Sequence, residues 1–285
     1  MKKWRVLGLQ HDRILMYHGT PPGDAAGLER QLRLVRVAFR VVPLHELACA
    51  ESNGRARVAL TFDDGLRSNV EVAYPILRKL GLTATFFVCP GLIERGRWLW
   101  NHEARERLRT LEPQALAELA RQLDAPLEIE AFVEWLKTLP IAVRRRAEDE
   151  IRAATARFTP TPAQRAQFDL AGWEELARLD PRVVAIGSHT MTHPILTSLS
   201  AEETDAEMRE SRMALEKRLD RPISLFCYPN GDLNDAALGA ARRYYRAAVT
   251  VQSGTLRGKV DPHLMPRFSA NPQRTRRLVR RMLLG

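Results

Sequence analysis

"VALTFDDGL" at residues 58–66 sets two adjacent aspartates, Asp63 and Asp64, between an apolar run and a glycine. Side-by-side carboxylates repel each other, and a strand end is a poor place to leave them without partners. Either the pair hangs in water at an Asp-Asp-Gly turn, or something positive sits between the two. The run before it, "RVALTF" (57–62), is apolar almost throughout, as suits a strand of a parallel sheet with both faces buried.

Similar runs recur along the chain. "RILMYH" (13–18), "TATFFV" (83–88), "RVVAIG" (182–187), "ISLFCY" (223–228), "AAVTV" (247–251) and "LMPRFS" (264–269) read as strands. Helical patterns lie between them. Pro75 opens "PILRKLG" and Gly81 stops it. Ser200 and Glu203 form a capping box for a helix to about Leu219, and Asn234 caps "DAALGAARRYY". Such alternation implies an α/β fold, either an open sheet or a (β/α) barrel.

From about Glu103 to Phe168 the rhythm stops. "PQALAELARQL" (113–123), "IEAFVEWLKTL" (129–139) and "AVRRRAEDEIRAATARF" (142–158) are amphipathic helical stretches. They read as a helical insertion, about 103–168, within one domain that covers residues 1–285 and ends in a basic tail, 274–285. Such an insertion costs little chain entropy when its ends lie close together.

The composition, 45% hydrophobic and 27% charged over 285 residues, is globular. A surplus of 44 Lys+Arg over 34 Asp+Glu raises nucleic-acid binding as a thought. The arginines are scattered through helical patterns, however, and "VRRRAEDEIR" (143–152) carries its own acids, so nucleic acid is not an expected partner. The tail "RTRRLVRRMLLG" alternates arginines with apolar residues. As a helix it would suit peripheral contact with an anionic membrane surface, or dock on its own domain. Cys49, Cys89 and Cys227 are far apart and odd in number, which argues against a disulfide framework. With no signal-like apolar core in "MKKWRVLGLQHDRILMYHG" and no run of about 18 apolar residues, the expectation is a cytoplasmic, possibly membrane-peripheral protein.

Three strands end in chemically loaded turns, "TFDDG" (61–65), "GSHTMTHP" (187–194) and "CYPNG" (227–231), and functional groups of parallel folds gather at such ends. His189 and His193 are four apart, so on a helical turn both imidazoles face one way, a common spacing for two ligands of one metal. Adding an aspartate makes a set that suits a divalent transition metal, zinc first among them. Only one of Asp63 and Asp64 need bind the ion, leaving its neighbour to take a proton from acidified water. In the third turn Pro229 stiffens the backbone and Gly231 permits close approach. A main-chain N–H aimed at a developing oxyanion there is worth about 3 kcal/mol. Tyr228 and Pro229 are expected substrate contacts. His18, at the end of "RILMYH", either lines the same rim or is a structural histidine. Trp100, with Trp98, Asn101 and His102, forms either a sugar platform or core packing.

In this order, "TFDDG", "SHTMTH" and "FCYPNG" resemble the motifs of the polysaccharide deacetylases, the NodB-homology group of carbohydrate esterase family 4. "ILMYHG", "PILRKLGLTATFFV", "GWEELARL" and "LMPRFS" are similar to segments of bacterial members, so the resemblance covers most of the chain outside the insertion. It implies a distorted (β/α) barrel and metal-dependent hydrolysis of an N-acyl group on a sugar. It further implies Asp63 as general base, with Asp64, His189 and His193 as metal ligands. Asn230 stands where the family usually has a tyrosine whose backbone N–H helps hold the oxyanion.

Two departures stand out. Cys227 occupies the place of an arginine that orients the base in many members, and the usual late histidine, the general acid, has no clean match. "HLMPRFS" offers His263 and Arg267 instead. The expectation is that Arg267 reaches Asp63 and replaces the missing arginine, while His263 is either the acid or a loop residue. The implied substrate is an amino-sugar glycan or, for a cytoplasmic enzyme, its nucleotide- or lipid-linked precursor. The alternative is a non-catalytic relative that binds glycan or membrane through the same fold. The two departures motivate that alternative, and the intact ligands and base oppose it.

Overall fold

The computed structural model describes residues 11–48, 54–258 and 260–284. Cys49, the N-terminal segment 1–10 and the tail side chains of Met282, Leu283 and Leu284 lie outside the described residues and side chains.

The strands are β1 (Arg13–Tyr17), β2 (Arg40–Val41), β3 (Arg57–Phe62), β4 (Ala84–Val88), β5 (Val184–Ser188), β6 (Leu225–Cys227), β7 (Ala247–Val249) and β8 (Phe268–Ser269). Helices α1 (Ala25–Ala38), α2 (Leu44–Leu47), α3 (Tyr74–Leu80) and α4 (Pro90–Arg95) precede the insertion. The insertion carries α5 (Trp100–Leu108), α6 (Pro113–Leu123), α7 (Ile129–Thr138), α8 (Ile141–Ala154) and α9 (Pro162–Phe168). After it come α10 (Trp173–Ala177), α11 (Ala201–Leu219), α12 (Asp235–Tyr244) and α13 (Thr275–Leu284).

All strand pairs are parallel, in the order β7-β6-β5-β4-β3-β1-β8, with β2 beside β3. The remaining gap is bridged by the segment around β8. Met265 pairs with Val249 of β7, and Phe268 and Ser269 pair with Leu15 and Met16 of β1. The result is a distorted (β/α) barrel. Pro266 separates the two halves of this seam and has no N–H to give, so the expected strand at 264–269 is paired as a strand only at its end. β2 was not anticipated, because two residues are too few for any periodicity to show.

Strand pleat divides the core into two layers. Leu15, Val58, Leu60, Phe62, Phe86 and Phe226 face outward, under the helices. Ile14, Ala59, Phe87, Leu225, Cys227, Val249 and Met265 face the barrel interior. Gly187 belongs to the inner face of β5, where a Cβ would lie 2.5 Å from the Phe87 ring, so only glycine leaves that ring its place. The helix ends follow local chemistry. Gly81 terminates α3 with φ 64°, the Ser200–Glu203 capping box opens α11, and Asn234 caps α12 through Ala237 N.

The insertion has its own apolar cluster, which includes Leu108, Phe132, Leu136 and Ile151. Its ends meet: His102 stacks on Phe168 at 4.8 Å, and Trp98 Nε1 donates to Asp169 Oδ1 at 2.7 Å. In the tail helix Leu278 is buried in the main core and Arg281 donates to Ser269 O, while Arg276, Arg277 and Arg280 are exposed. Among the described residues no helix is long and apolar enough to cross a membrane.

Candidate active site and metal centre

Strand parity decides which side chains enter the barrel mouth. Asp63 continues the inner face of β3 after Ala59 and Thr61, and Arg267 continues that of Met265. Cys227 continues that of Leu225, and His189 lies two residues past Gly187 on the inner face of β5. The chain then bends sharply. Six described non-glycine residues have positive φ. Asp124 and Asp220 end helices α6 and α11, an ordinary use of that conformation. The other four, Asp64 (73°), Thr190 (66°), His193 (55°) and Asn230 (54°), all lie in the three loops singled out in the sequence. For β-branched Thr190 this is real strain, and such outliers, at about 1–3 kcal/mol each, collect where geometry serves function.

Asp63 and Asp64 have different surroundings. Arg267 Nη1 donates to Asp63 Oδ1 at 2.7 Å and Nη2 to Oδ2 at 2.8 Å, a fork on a carboxylate with both partners buried. The guanidinium is held further by Thr61 Oγ1 (3.0 Å), Thr250 O (2.8 Å) and Cys227 Sγ (3.1 Å). Burial works to raise the Asp63 pKa, but the charge and hydrogen bonds of Arg267 bring it below the usual carboxylate range. Burial also keeps the Cys227 thiol protonated by pushing its pKa up.

Asp64, with both Asp63 oxygens on Arg267, is the carboxylate turned to the imidazoles. Its Oδ1 lies 3.6 Å from Nε2 of His189 and 3.6 Å from Nε2 of His193. Candidate ligand atoms of these three buried residues all lie within 4.8 Å of one another. Burial opposes the Asp64 charge, yet the neighbouring histidines hold its pKa far below the ordinary value. The two imidazoles do not charge together: burial and the charge of His189 push His193 down to about 3. Burial also opposes charge on His189, but Cys227 and Asp64 beside it raise its pKa above the ordinary value.

These residues fit a divalent ion. His189 Nδ1 donates to Cys227 O at 2.7 Å, which fixes the ring and leaves Nε2 facing Asp64. His193 Nδ1 is buried with no partner. Two imidazole nitrogens and one carboxylate oxygen within 4.8 Å of one another are a zinc-type donor set.

The two histidines do not meet on a helical turn, as their spacing suggests. Residues 189–193 form an irregular bend held by neighbours. His193 N donates to Thr190 Oγ1, Thr192 N and Oγ1 donate to Glu207, and Trp100 Nε1 donates to His193 O at 3.1 Å. Trp100 is therefore not an open sugar platform: it is buried, with the Arg144 guanidinium 4.4 Å over its ring. Tyr228, expected as a substrate contact, is likewise turned from the mouth: its side chain lies in the outer core layer with its hydroxyl on His263 O at 3.1 Å. Pro229 is buried at the start of its turn.

His263 is not brought to the cluster. Its Nε2 bonds Tyr245 O at 2.9 Å, at the N-terminal approach to β7, whereas the site gathers at the C-terminal strand ends. His18 does reach the rim: it is exposed one residue past β1, and both Asp63 and Asp64 feel its charge. His102, from the insertion, couples electrostatically to Asp64, His18 and His193, and its own pKa is lowered by burial. Asn230 N–H has no partner among the described residues. Thr61 and Glu207 escaped the sequence reading. Strand parity two residues before Asp63 pointed to Thr61, but nothing pointed to Glu207 in mid-helix.

The model of the polysaccharide deacetylase family matches residues 50–249. A putative polysaccharide deacetylase of Bacillus subtilis, YxkH, is 20% identical over 216 residues, 75% of this chain and 52% of that protein. The chain thus spans about half the length of that curated relative. Among solved structures, the deacetylase PplD of Streptococcus pyogenes superposes with TM-score 0.63 at 20% identity, covering 96% of this chain and 99% of its own. IcaB from Ammonifex degensii does so with TM-score 0.65 at 17% identity, covering 97% and 99%. At these identities the structural likeness is one of fold. The family match is what speaks to kinship: it runs through both histidines and both aspartates to the end of β7, and on it the chain belongs to the polysaccharide deacetylase family.

Proposed function

We propose that the chain hydrolyses an acetyl or other small acyl group from the nitrogen of an amino sugar, in a cell-surface polysaccharide or its precursor. Asp64, His189 and His193 would hold a divalent ion, zinc first among candidates. One observation carries this reading: neighbouring carboxylates have separate partners, Asp63 on a buried arginine and Asp64 against two imidazoles.

A divalent ion in that seat supplies Lewis acidity to an acyl carbonyl and lowers the pKa of water toward neutrality. Asp63 takes the proton as water adds to the carbonyl carbon, and Arg267 keeps that carboxylate ionised and fixed. The Asn230 N–H is offered to the carbonyl oxygen as it gains charge. When the carbon–nitrogen bond breaks, the leaving amine takes up the proton that Asp63 received, and His18, exposed at the rim one residue past β1, lines the way. A non-catalytic glycan binder would have no use for a fully buried guanidinium committed to Asp63. The exposed arginines of α13 favour a lipid-linked precursor at an anionic surface.

Acetate release from acetylated chito-oligosaccharides, with metal analysis of the same protein, tests the reading. Asp63→Asn should keep the ion and lose about 10²- to 10⁴-fold in turnover, the worth of a general base. Equal release by wild type and variant, or release by neither, would end it.

A further inference from the structure

The two imidazoles beside Asp64 are held in different ways. His189 has its ring fixed from behind, Nδ1 on Cys227 O at 2.7 Å. His193 has no such tie, since its Nδ1 is buried without a hydrogen-bond partner. Its direction therefore depends on the backbone that carries it. That backbone is in a costly conformation, with positive φ at Thr190 and at His193 itself.

Helix α11 grips this bend at both ends, each time through the residue just before a histidine. Ser188 Oγ lies 2.6 Å from Ser211 Oγ. Thr192 gives its N–H to Glu207 Oε2 at 3.0 Å and its hydroxyl to Glu207 Oε1 at 2.7 Å. Ser188 and Thr192 are four residues apart, and so are Glu207 and Ser211, which puts the last two one turn apart on one helix face. We propose that Glu207 is a positioning residue for the metal seat: its carboxylate holds Thr192 so that the His193 imidazole faces Asp64. This rests on the seat for a divalent ion read above.

The helix is suited to the task. Thr204, Met208, Ser211 and Leu215 bury its inner stripe, and the Ser200–Glu203 capping box fixes its start. Glu207 is thus offered from a rigid element rather than from a loop. Both of its oxygens are spent on Thr192. Arg144 feels the charge of Glu207 but gives its Nε to Glu148, so pairing with that arginine does not explain the carboxylate.

Zinc affinity by competition with a chromophoric chelator, and the visible absorption of the cobalt-substituted protein, read the seat without turnover. Glu207→Leu fills the space and removes both acceptors, so zinc affinity should fall about tenfold and the cobalt spectrum should change. Glu207→Gln should stay within about twofold of the unsubstituted protein. Its carbonyl accepts from Thr192 N while its amide donates to Oγ1, a hydroxyl that serves in either role. A residue that only fills space would tolerate leucine, and one that acts by charge alone would not tolerate glutamine. Thr192→Val removes the hydroxyl contact and should cost about threefold, but little more once Glu207→Leu is present. Read by itself, it carries the test should Glu207→Leu not fold. Unchanged affinity and spectrum in Glu207→Leu, a glutamine variant as weak as the leucine one, or single losses that multiply in the double variant would each overturn the proposal. Zinc bound equally by unsubstituted protein and Asp64→Ala, or by neither, would sink the seat and this proposal with it. Zinc lost in Asp64→Ala but fully kept in Glu207→Leu would sink this proposal alone.

Discussion

All five N–H groups of Arg267 have acceptors: Asp63 twice, Thr61, Thr250 and Cys227. The short thiol of Cys227 on the inner face of β6 leaves the volume into which the guanidinium of the seam segment fits. Removing it in Arg267→Met leaves a buried carboxylate unpaired, a loss of about 3–5 kcal/mol in stability. Burial then outweighs the weaker pull of His18 and His189 and raises the Asp63 pKa, so the acidic limb of kcat/KM should move to higher pH. Denaturant unfolding and a pH–rate profile check both parts, and an unmoved acidic limb would remove Arg267 from control of the base. The Asp63–Arg267 contact was legible in the sequence because one cysteine stood where an arginine was wanted and one arginine sat at a strand end. The place of His263 was not legible, since proximity in sequence does not say toward which end of β7 a loop folds. Trp100 and Tyr228 misled for a related reason: whether an aromatic is open or buried depends on what packs over it.

Among the helices, α5 leans its first turn on the histidine loop. Trp100→Phe keeps a buried aromatic ring, though a smaller one, and deletes the N–H that His193 O receives. Metal affinity should fall about tenfold, in the range of lost supporting contacts, while turnover at saturating metal changes little. Competition titration against a chromophoric chelator reads this directly, and an unchanged affinity would make Trp100 a packing residue only. The strands were legible where apolar runs were long, and the helices where caps carried their own chemistry, as at Ser200, Asn234 and Gly81. The histidine bend was not, because positive φ at Thr190 and His193 is imposed by tertiary partners and leaves no mark at the level of spacing.

Considered whole, the barrel positions Asp64, His189 and His193 before any ion arrives, so binding should act on the native state and not on the unfolded chain. An ion at about a thousand times its Kd then adds about 4 kcal/mol to stability. Calorimetry should show a lower Tm on chelation, recovery on adding zinc, and neither effect in Asp64→Ala. A chelator-insensitive Tm in the unsubstituted protein would contradict a preformed seat. The barrel was legible from strand–helix alternation, but its closure was not, since the seam at Met265 and Phe268 shares one short segment between two strands.

That shared segment has a consequence for the making of the protein. The stretch that seals the barrel also delivers the guanidinium to Asp63, more than two hundred residues after the carboxylate is synthesised. Until it docks, the nascent chain carries an acid destined for a sealed interior without its counterion. On the proposed chemistry, a product of interrupted translation that stops short of the seam would lack both the closing segment and the guanidinium that holds the base.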